Sequence, residues 1–191
     1  YGPVTGHVYE TPGTDTVPMS VTDGVNTATK TGTIVVQDPD VAFTGAATIC
    51  LSTSGNFTGA PSGAQTFTVS SDMSAHINTY KSNNTRILFC KADTWTYSTQ
   101  QTLSGLTNFR IDGYGTGVAR AFGSGTLIPV NVGVLNGAMI LTTTGNTDLF
   151  FGSMKITVAG SYYTQGAAKS TSMLSVNNTI SGITVCKMEI R

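Results

Sequence analysis

Short apolar runs separated by clusters of Gly, Ser, Thr and Asn make up most of this chain. Within the runs, apolar and polar residues alternate as they do in β-strands that are buried on one side. Thr favours strands because its branched Cβ suits a pleated surface. The pattern predicts an all-β protein, with strands at 48–51, 87–89, 107–111, 127–130, 138–141, 147–158 and 179–185.

One segment, Ser71–Tyr80, has helical instead of strand periodicity. Met73, Ile77 and Tyr80 recur at the spacing that places side chains on one face of a helix. Ser71 or Asp72 can serve as the N-cap, because their side-chain oxygens accept from the free amides of a first turn. We therefore expect a short amphipathic helix here, with His76 facing solvent.

A loose repeat begins beyond residue 86. Segments starting at Thr107, Thr147 and Thr179 share an Asn or Thr, an apolar pair, a Gly and an alternating strand, at spacings of about 40 and 32 residues. Unequal spacings suit stacked units whose strands are alike and whose loops differ. The repeat predicts three to four stacked turns of chain.

The stretch from Arg86 to Gly117 suggests what these turns are. An apolar strand leads into the turn KADTW, and a second strand opened by Leu103 ends in DGYGTG. This order resembles the first coils of right-handed parallel β-helix proteins of the pectate-lyase-like type, where turns of the form G-D-T-F and Y-G-T-G follow successive strands. The resemblance implies parallel β-helix coils over 39–191, with the helix of 71–80 as a cap over the first coil.

Residues 1–38 follow a different pattern. Val17, Met19 and Val21 alternate with polar residues, and Asp23-Gly24 is typical of a hairpin turn. From His7 to Val36 the chain resembles the C-terminal half of an Ig-like module of the polycystic-kidney-disease type. The resemblance implies half of an Ig-like β-sandwich, completed by a preceding segment, another chain or the β-helix.

Two positions depart from the pattern of that module. Asp15-Thr16 stands where the module prefers an aromatic residue, and Pro18 lacks a backbone donor, so its strand should lie at an edge. Asp38-Pro39-Asp40 is predicted to be an extended linker, because Pro disfavours the helical region in the residue before it. The expected domains are therefore 1–38, a partial Ig-like module, and 39–191, the β-helix coils.

The composition narrows the classes of partner. Of the 191 residues, 39% are hydrophobic and only 10% are charged, against roughly 25% charged in ordinary soluble domains. Residues 1–40 carry one Lys and five acids, a net charge of −4, and the rest carries nine Lys or Arg and five acids, a net of +4. Because these charges are scattered, the sequence offers no basic stripe for nucleic acid. No apolar run is long enough to span a membrane.

Cys50, Cys90 and Cys186 each lie in an apolar run, as buried free cysteines do. A Cys50–Cys90 disulfide is the alternative in an exported protein. The chain has no CxxC motif, and His7 and His76 are isolated. The sequence therefore predicts neither a metal site nor a cofactor.

Acidic residues are the natural candidates for catalysis in a β-helix enzyme. Asp112, Asp148 and Glu189 would converge only if successive coils stacked them, and each also fits a turn or an outward strand position. Asp93 matches the Asp of the family's G-D-T-F turn, and the resemblance implies that it ties that turn. We therefore predict no catalytic residue within this chain.

Aromatic side chains are the candidate ligand contacts. Tyr162 and Tyr163 lie in a Gly- and Ser-rich loop without apolar pattern, and exposed aromatic rings on a β-helix commonly stack on sugars. Trp95 and Tyr114 are further candidates, although both also fit as packing residues of the first coil. The predicted ligand is a polysaccharide or cell-surface glycan.

Two functional classes remain. The first is a structural or adhesive protein of an extracellular, cell or virion surface, and the sparse acids favour it. The second is the N-terminal part of a polysaccharide lyase or glycosidase, which rests on fold analogy. Because the chain starts and stops inside strand-like patterns, we expect it to belong to a larger chain or a homo-oligomer.

Overall fold

Thirteen strands, two α-helices and one 3₁₀ turn (Gly45–Ala47) form the part of the protein that this computed structural model describes, residues 12–115, 127–132, 138–158, 173–176 and 181–190. The helices are α1 (Pro39–Ala42) and α2 (Met73–Tyr80). The strands are β1 (Gly13–Thr22), β2 (Thr27–Val36), β3 (Thr48–Ser52), β4 (Gln65–Thr68), β5 (Arg86–Cys90), β6 (Trp95–Tyr97), β7 (Gln101–Leu103), β8 (Thr107–Tyr114), β9 (Ile128–Val132), β10 (Ile140–Thr142), β11 (Thr147–Val158), β12 (Leu174–Val176) and β13 (Ser181–Ile190). The protein is therefore mostly β, as the sequence predicts.

The first two strands form an antiparallel hairpin. Its turn is held by Asp23, whose carboxylate accepts from the amides of Val25 at 2.9 Å and Asn26 at 2.7 Å. The predicted turn at Asp23-Gly24 is confirmed. His7 lies outside the described residues, and the Ig-like sandwich stays a prediction.

The linker after the hairpin differs from its prediction. Asp38 is extended, with φ −70° and ψ 119°, as a residue before Pro should be. It is also the N-cap of α1, because its carboxylate accepts from the amide of Asp40 at 2.9 Å. Pro39 stands in the first turn, where its missing donor costs nothing. The linker therefore continues into a helical turn.

All strands from β3 onward pair in parallel, and the larger sheet curls like half of a barrel. The pairs form three rows, each defined by its strands. Row one contains β4, β3, β5, β8 and the first halves of β11 and β13; row two contains β6, β9 and the second halves of β11 and β13; row three contains β7, β10 and β12. From β5 onward the chain visits the rows in the order one, two, three, whereas β3 and β4 both lie in row one.

The register of row one corrects two details of the predicted repeat. Thr147 pairs with Thr107, which confirms the interval of 40 residues. Thr147 pairs on its other side with Ser181, so the second interval is two residues longer than predicted; Thr179 lies outside the described residues. The strand expected to open at Leu103 is two strands, because β7 ends there and β8 begins at Thr107.

Four residues with a left-handed backbone conformation, which we call the corner ladder, stand where the chain enters row one. Asn84, Asn108, Asp148 and Gly182 occupy equivalent positions with φ of 54°, 50°, 53° and 77°. Asn, Asp and Gly are the residues that tolerate this conformation best. The side-chain amide of Asn108 also donates to the side-chain oxygen of Asn84 at 3.2 Å, which links two successive turns. The corner is therefore fixed by the sequence at each repeat.

The apolar core lies between the rows. Phe89, Phe109, Phe151 and their inward neighbours are fully buried, and Trp95 closes the space beside them. Helix α2 forms as predicted, with Asp72 as its N-cap, and places Met73 and Ile77 in the core. The helix packs beside β6 and β7, and the cap over a β-helix coil stays a prediction.

The corner ladder generates a stability prediction. Asn108→Ala should destabilise the protein by about 1 kcal/mol, because Ala pays the left-handed penalty and also loses the bond to Asn84. Asn108→Gly should cost less, since Gly adopts the same φ without strain. Urea unfolding of both variants measures the difference. Equal losses in the two variants would contradict the conformational argument.

The parallel register can be tested by cross-linking. Thr96 and Asn131 are exposed and directly paired in row two. In a Cys186→Ser background, Thr96→Cys with Asn131→Cys should oxidise to a disulfide, because paired Cα atoms lie within the required 4.4–6.8 Å. The control is Thr96→Cys with Thr157→Cys, two strands apart and about 9.6 Å distant. Non-reducing mass spectrometry reads both, and bridging of the control pair alone would refute the register.

Candidate functional site

The outward face of row one carries two adjacent arginines. Arg86 and Arg110 are directly paired between β5 and β8. Arg86 is only 4% exposed and forms an ion pair with Asp40 at 2.7 Å. Its guanidinium also donates to Thr48 Oγ1 at 3.1 Å. A buried charge without such partners would be strongly unfavourable.

Phe43 covers both guanidinium groups. The carbon of the Arg86 guanidinium lies 5.7 Å from the centre of the Phe43 ring, and that of Arg110 lies 5.1 Å from it. Phe43 is 1% exposed, although it follows directly on the exposed end of α1. Cation–π contacts of this kind strengthen when the charge is desolvated. Together with the Asp40–Arg86 pair they fix the linker to the sheet.

Arg110 is held on its other side by Phe150, whose ring centre is 5.6 Å away. The Nε of Arg110 is buried and has no hydrogen-bond acceptor. The cluster of Arg86, Arg110, Phe43 and Phe150, with Asp40, is therefore a clamp; we call it the arginine clamp.

The register does not bring the three candidate acids together. Asp112 lies beside Leu88 on the outward face, and Asp148 stands at the corner ladder, four positions earlier in the repeat. Glu189 aligns with Lys155, three positions beyond the position that Asp112 occupies in the repeat. At about 3.3 Å per residue, the positions of Asp148 and Glu189 lie about 13 Å and about 10 Å along the strands from the position of Asp112. Stacking therefore does not assemble a carboxylate pair from them.

Asp93 holds two turns of chain together. Its carboxylate accepts from Ser52 Oγ at 2.7 Å, from the amide of Thr53 at 2.7 Å and from Ser54 Oγ at 2.7 Å. Burial by itself raises the pKa of Asp93, but the bonds from Ser52, Ser54 and Thr53 outweigh it and hold the pKa below its ordinary value. The structural role expected for Asp93 is present, although its partners lie in the preceding turn.

Asp72 acts in the same way at the start of α2. Its carboxylate accepts from the amide of Ser74 at 3.0 Å and from Ser98 Oγ at 2.7 Å. Burial raises its pKa, and these bonds lower it further than burial raises it. Asp72 therefore caps the helix and ties it to the segment after row two.

The structure places two of the four candidate ligand residues in the interior. Trp95 has no exposed surface, donates its Nε1–H to the carbonyl of Cys90 at 3.1 Å and packs edge-on against Phe89. Tyr114 is 4% exposed and donates its hydroxyl to the carbonyl of Asn56 at 2.9 Å. Neither ring presents a face on which a sugar could stack. Tyr162 and Tyr163 lie outside the described residues.

The cysteines that the structure describes fully are not bridged. Cys50 and Cys90 are free and buried in a small cluster with Leu88 and Tyr114 on the outward side of row one. Burial raises the pKa of the Cys50 thiol to about 12. The alternative of a Cys50–Cys90 disulfide is therefore wrong for this conformation, and Cys50 is an unreactive packing residue.

His76 is half-buried and interacts with Ser70, whose carbonyl oxygen lies 2.9 Å from its Nε2. Its ring also lies edge-on to Trp95, with ring centres 6.3 Å apart. It therefore faces solvent only in part. In the described part of the chain, no cluster of His, Cys, Asp and Glu could hold a metal ion.

Comparison with known proteins adds no identification: no family model, curated protein or solved structure matches this chain. Among the described residues, no helix combines the length and apolar character needed to cross a membrane.

The arginine clamp was not anticipated from the sequence. Its signal is the dipeptide Arg-Ile, which opens the apolar part of β5 at Arg86 and recurs at Arg110 in β8.

The hydrogen bonds of Asp93 predict a pH-dependent contribution to stability. Because its folded pKa is depressed, its contribution is full above the unfolded pKa of about 4 and is lost as pH falls through the lower folded pKa. Asp93→Asn should therefore cost about 1–3 kcal/mol at pH 7 and progressively less below pH 4. Urea unfolding at several pH values measures this.

The control variant is Asp148→Asn. Asp148 is exposed and left-handed, a conformation that Asn tolerates, so the change should stay within about 0.5 kcal/mol. A loss at Asp93 that does not change between pH 7 and acid pH would show that its charge is not what stabilises the two turns.

Proposed function

We propose that this chain is a structural or adhesive protein of an extracellular, cell or virion surface. In this proposal the three rows are turns of a right-handed parallel β-helix, and the hairpin belongs to an Ig-like half module. The observation that carries the proposal is the in-register stacking of parallel strands, with equivalent left-handed corners at Asn84, Asn108, Asp148 and Gly182. Repetition of this kind produces a stiff body whose side chains are arranged in rows.

The use of the acidic residues supports a structural role over an enzymatic one. Asp72 and Asp93 hold turns through hydrogen bonds, and Asp40 neutralises a buried arginine. Glycosidase catalysis needs two carboxyl groups about 5–10 Å apart across one bond, one of them free to exchange a proton. Asp112, Asp148 and Glu189 supply no such pair, because no two of them occupy the same position of the repeat. The hydroxyl-rich surface with few charges accords with an exported protein.

Glycan recognition in this proposal rests on the Tyr162–Tyr163 loop, because Trp95 and Tyr114 are committed to packing. Paired aromatic rings give a sugar face a large contact area at little entropic cost.

Incubation with a panel of uronate-containing and neutral polysaccharides tests the proposal. We expect binding without turnover: retardation in affinity electrophoresis, no ultraviolet absorbance from unsaturated uronates and no new reducing ends. Tyr162→Ala with Tyr163→Ala should weaken that binding about tenfold or more, as loss of aromatic anchors does elsewhere. Tyr9→Ala serves as the matched control in the Ig-like segment and should leave binding unchanged. Any turnover would favour the lyase or glycosidase alternative instead.

A further inference from the structure

The hairpin has two chemically different faces. Side chains alternate between the faces along each strand, and directly opposed residues of an antiparallel pair share a face. One face, which we call the apolar face, contains Gly13, Asp15, Val17, Met19, Val21, Ala28, Lys30, Gly32, Ile34 and Val36. The other, the hydroxyl face, contains Thr14, Thr16, Pro18, Ser20, Thr22, Thr27, Thr29, Thr31, Thr33 and Val35.

The apolar face is open to solvent at its turn end and at Ile34, while Asp15, Val17 and Val36 are half-buried. Met19 is 60% exposed, Val21 65% and Ile34 42%. Neither strand of the hairpin packs extensively against another of the described elements. An isolated two-stranded hairpin is marginally stable in water and needs packing on one face. A covering surface for the apolar face is therefore required by the hairpin's own energetics.

We propose that the apolar face binds the same face of a second copy of this chain, across a two-fold axis that runs perpendicular to the strands at Val17 and Gly32. This axis lies in the plane of the interface and reverses the strand direction. Each residue therefore lies over the residue of the second copy that is on the same strand and equally far from Val17 or Gly32 on the other side. Val21 then lies over Gly13 of the second copy, and Val36 lies over Ala28. Large residues therefore meet small ones at both ends of the interface.

The same axis makes the two charges of the face complementary. Lys30 is paired across the hairpin with Met19, and Met19 lies over Asp15 of the second copy. With sheets about 10 Å apart and strands about 4.8 Å apart, the Lys30 and Asp15 Cα atoms would be about 11 Å apart. The combined length of a lysine and an aspartate side chain spans that distance. Symmetry gives two such ion pairs for each dimer, both at the edge of an apolar contact.

The size of the face sets the strength of this association. Ten residues at about 3.4 Å each give a face about 34 Å long and about 10 Å wide. This is smaller than the roughly 800 Å² that each partner buries in a standard stable interface. The dimer should therefore dissociate on dilution and weaken with added salt, since its ion pairs lie near solvent. The proposal depends on the hairpin alone and not on the β-helix assignment.

Sedimentation equilibrium of the full chain from micromolar to millimolar concentration tests the proposal. We expect a reversible monomer–dimer equilibrium. Asp15→Lys and Lys30→Asp should each raise the dissociation constant about tenfold, because each change replaces two attractions with two repulsions. The double variant, Asp15→Lys with Lys30→Asp, should restore the wild-type constant, since the exchanged charges again face each other.

The control for Lys30→Asp is Thr29→Asp, which places the same new charge on the adjacent hydroxyl face and should leave the dissociation constant unchanged. Hydrogen exchange of the hairpin amides keeps the test independent of misfolding: their protection should rise with protein concentration in the wild type and in the double variant. A chain that is monomeric at millimolar concentration would overturn the proposal. So would a double variant no tighter than its parents, or equal effects of Thr29→Asp and Lys30→Asp.

Discussion

In-register parallel stacking is the constraint on which the described fold from β3 onward depends. It places equivalent residues of successive turns about 4.8 Å apart, so each row of side chains must be compatible with itself. Inward rows satisfy this with aliphatic and aromatic groups, such as Phe109 beside Leu149. Corner rows satisfy it with Asn, Asp and Gly. A row of like charges would repel itself, which accounts for the low charged fraction of the chain.

The one adjacent pair of like charges that we describe shows what such a row requires. Arg86 and Arg110 tolerate each other because Asp40 neutralises one and two phenylalanine rings enclose the other. The same contacts attach the linker to the sheet. A residue pair that stacking alone would make unfavourable thus becomes the anchor between the hairpin segment and the parallel strands.

Hydroxyl, amide and carboxylate groups connect the turns where apolar packing does not. Asp93 joins segments 39 to 41 residues apart in sequence, and the side chain of Asn146 bonds the backbone of Leu103 and Leu106 in the preceding turn. These bonds are buried or half-buried, where an unmatched polar group would be costly. Among the described residues, no such side-chain bond connects the hairpin to the parallel strands, so we expect its stability to depend on what covers its apolar face.

The sequence by itself determined the β class, the hairpin turn at Asp23, the short helix before β5 and the 40-residue interval, because each follows from periodicity or from residues with narrow backbone preferences. The choice of Asp72 over Ser71 as the N-cap of that helix came from the structure. Local patterns extend over only a few residues. They could not show that Phe43 meets Arg110, that Asp93 bonds the preceding turn, or that Trp95 and Tyr114 lie inside instead of at the surface. Those features depend on the register between strands distant in sequence, and only the tertiary structure decides that register.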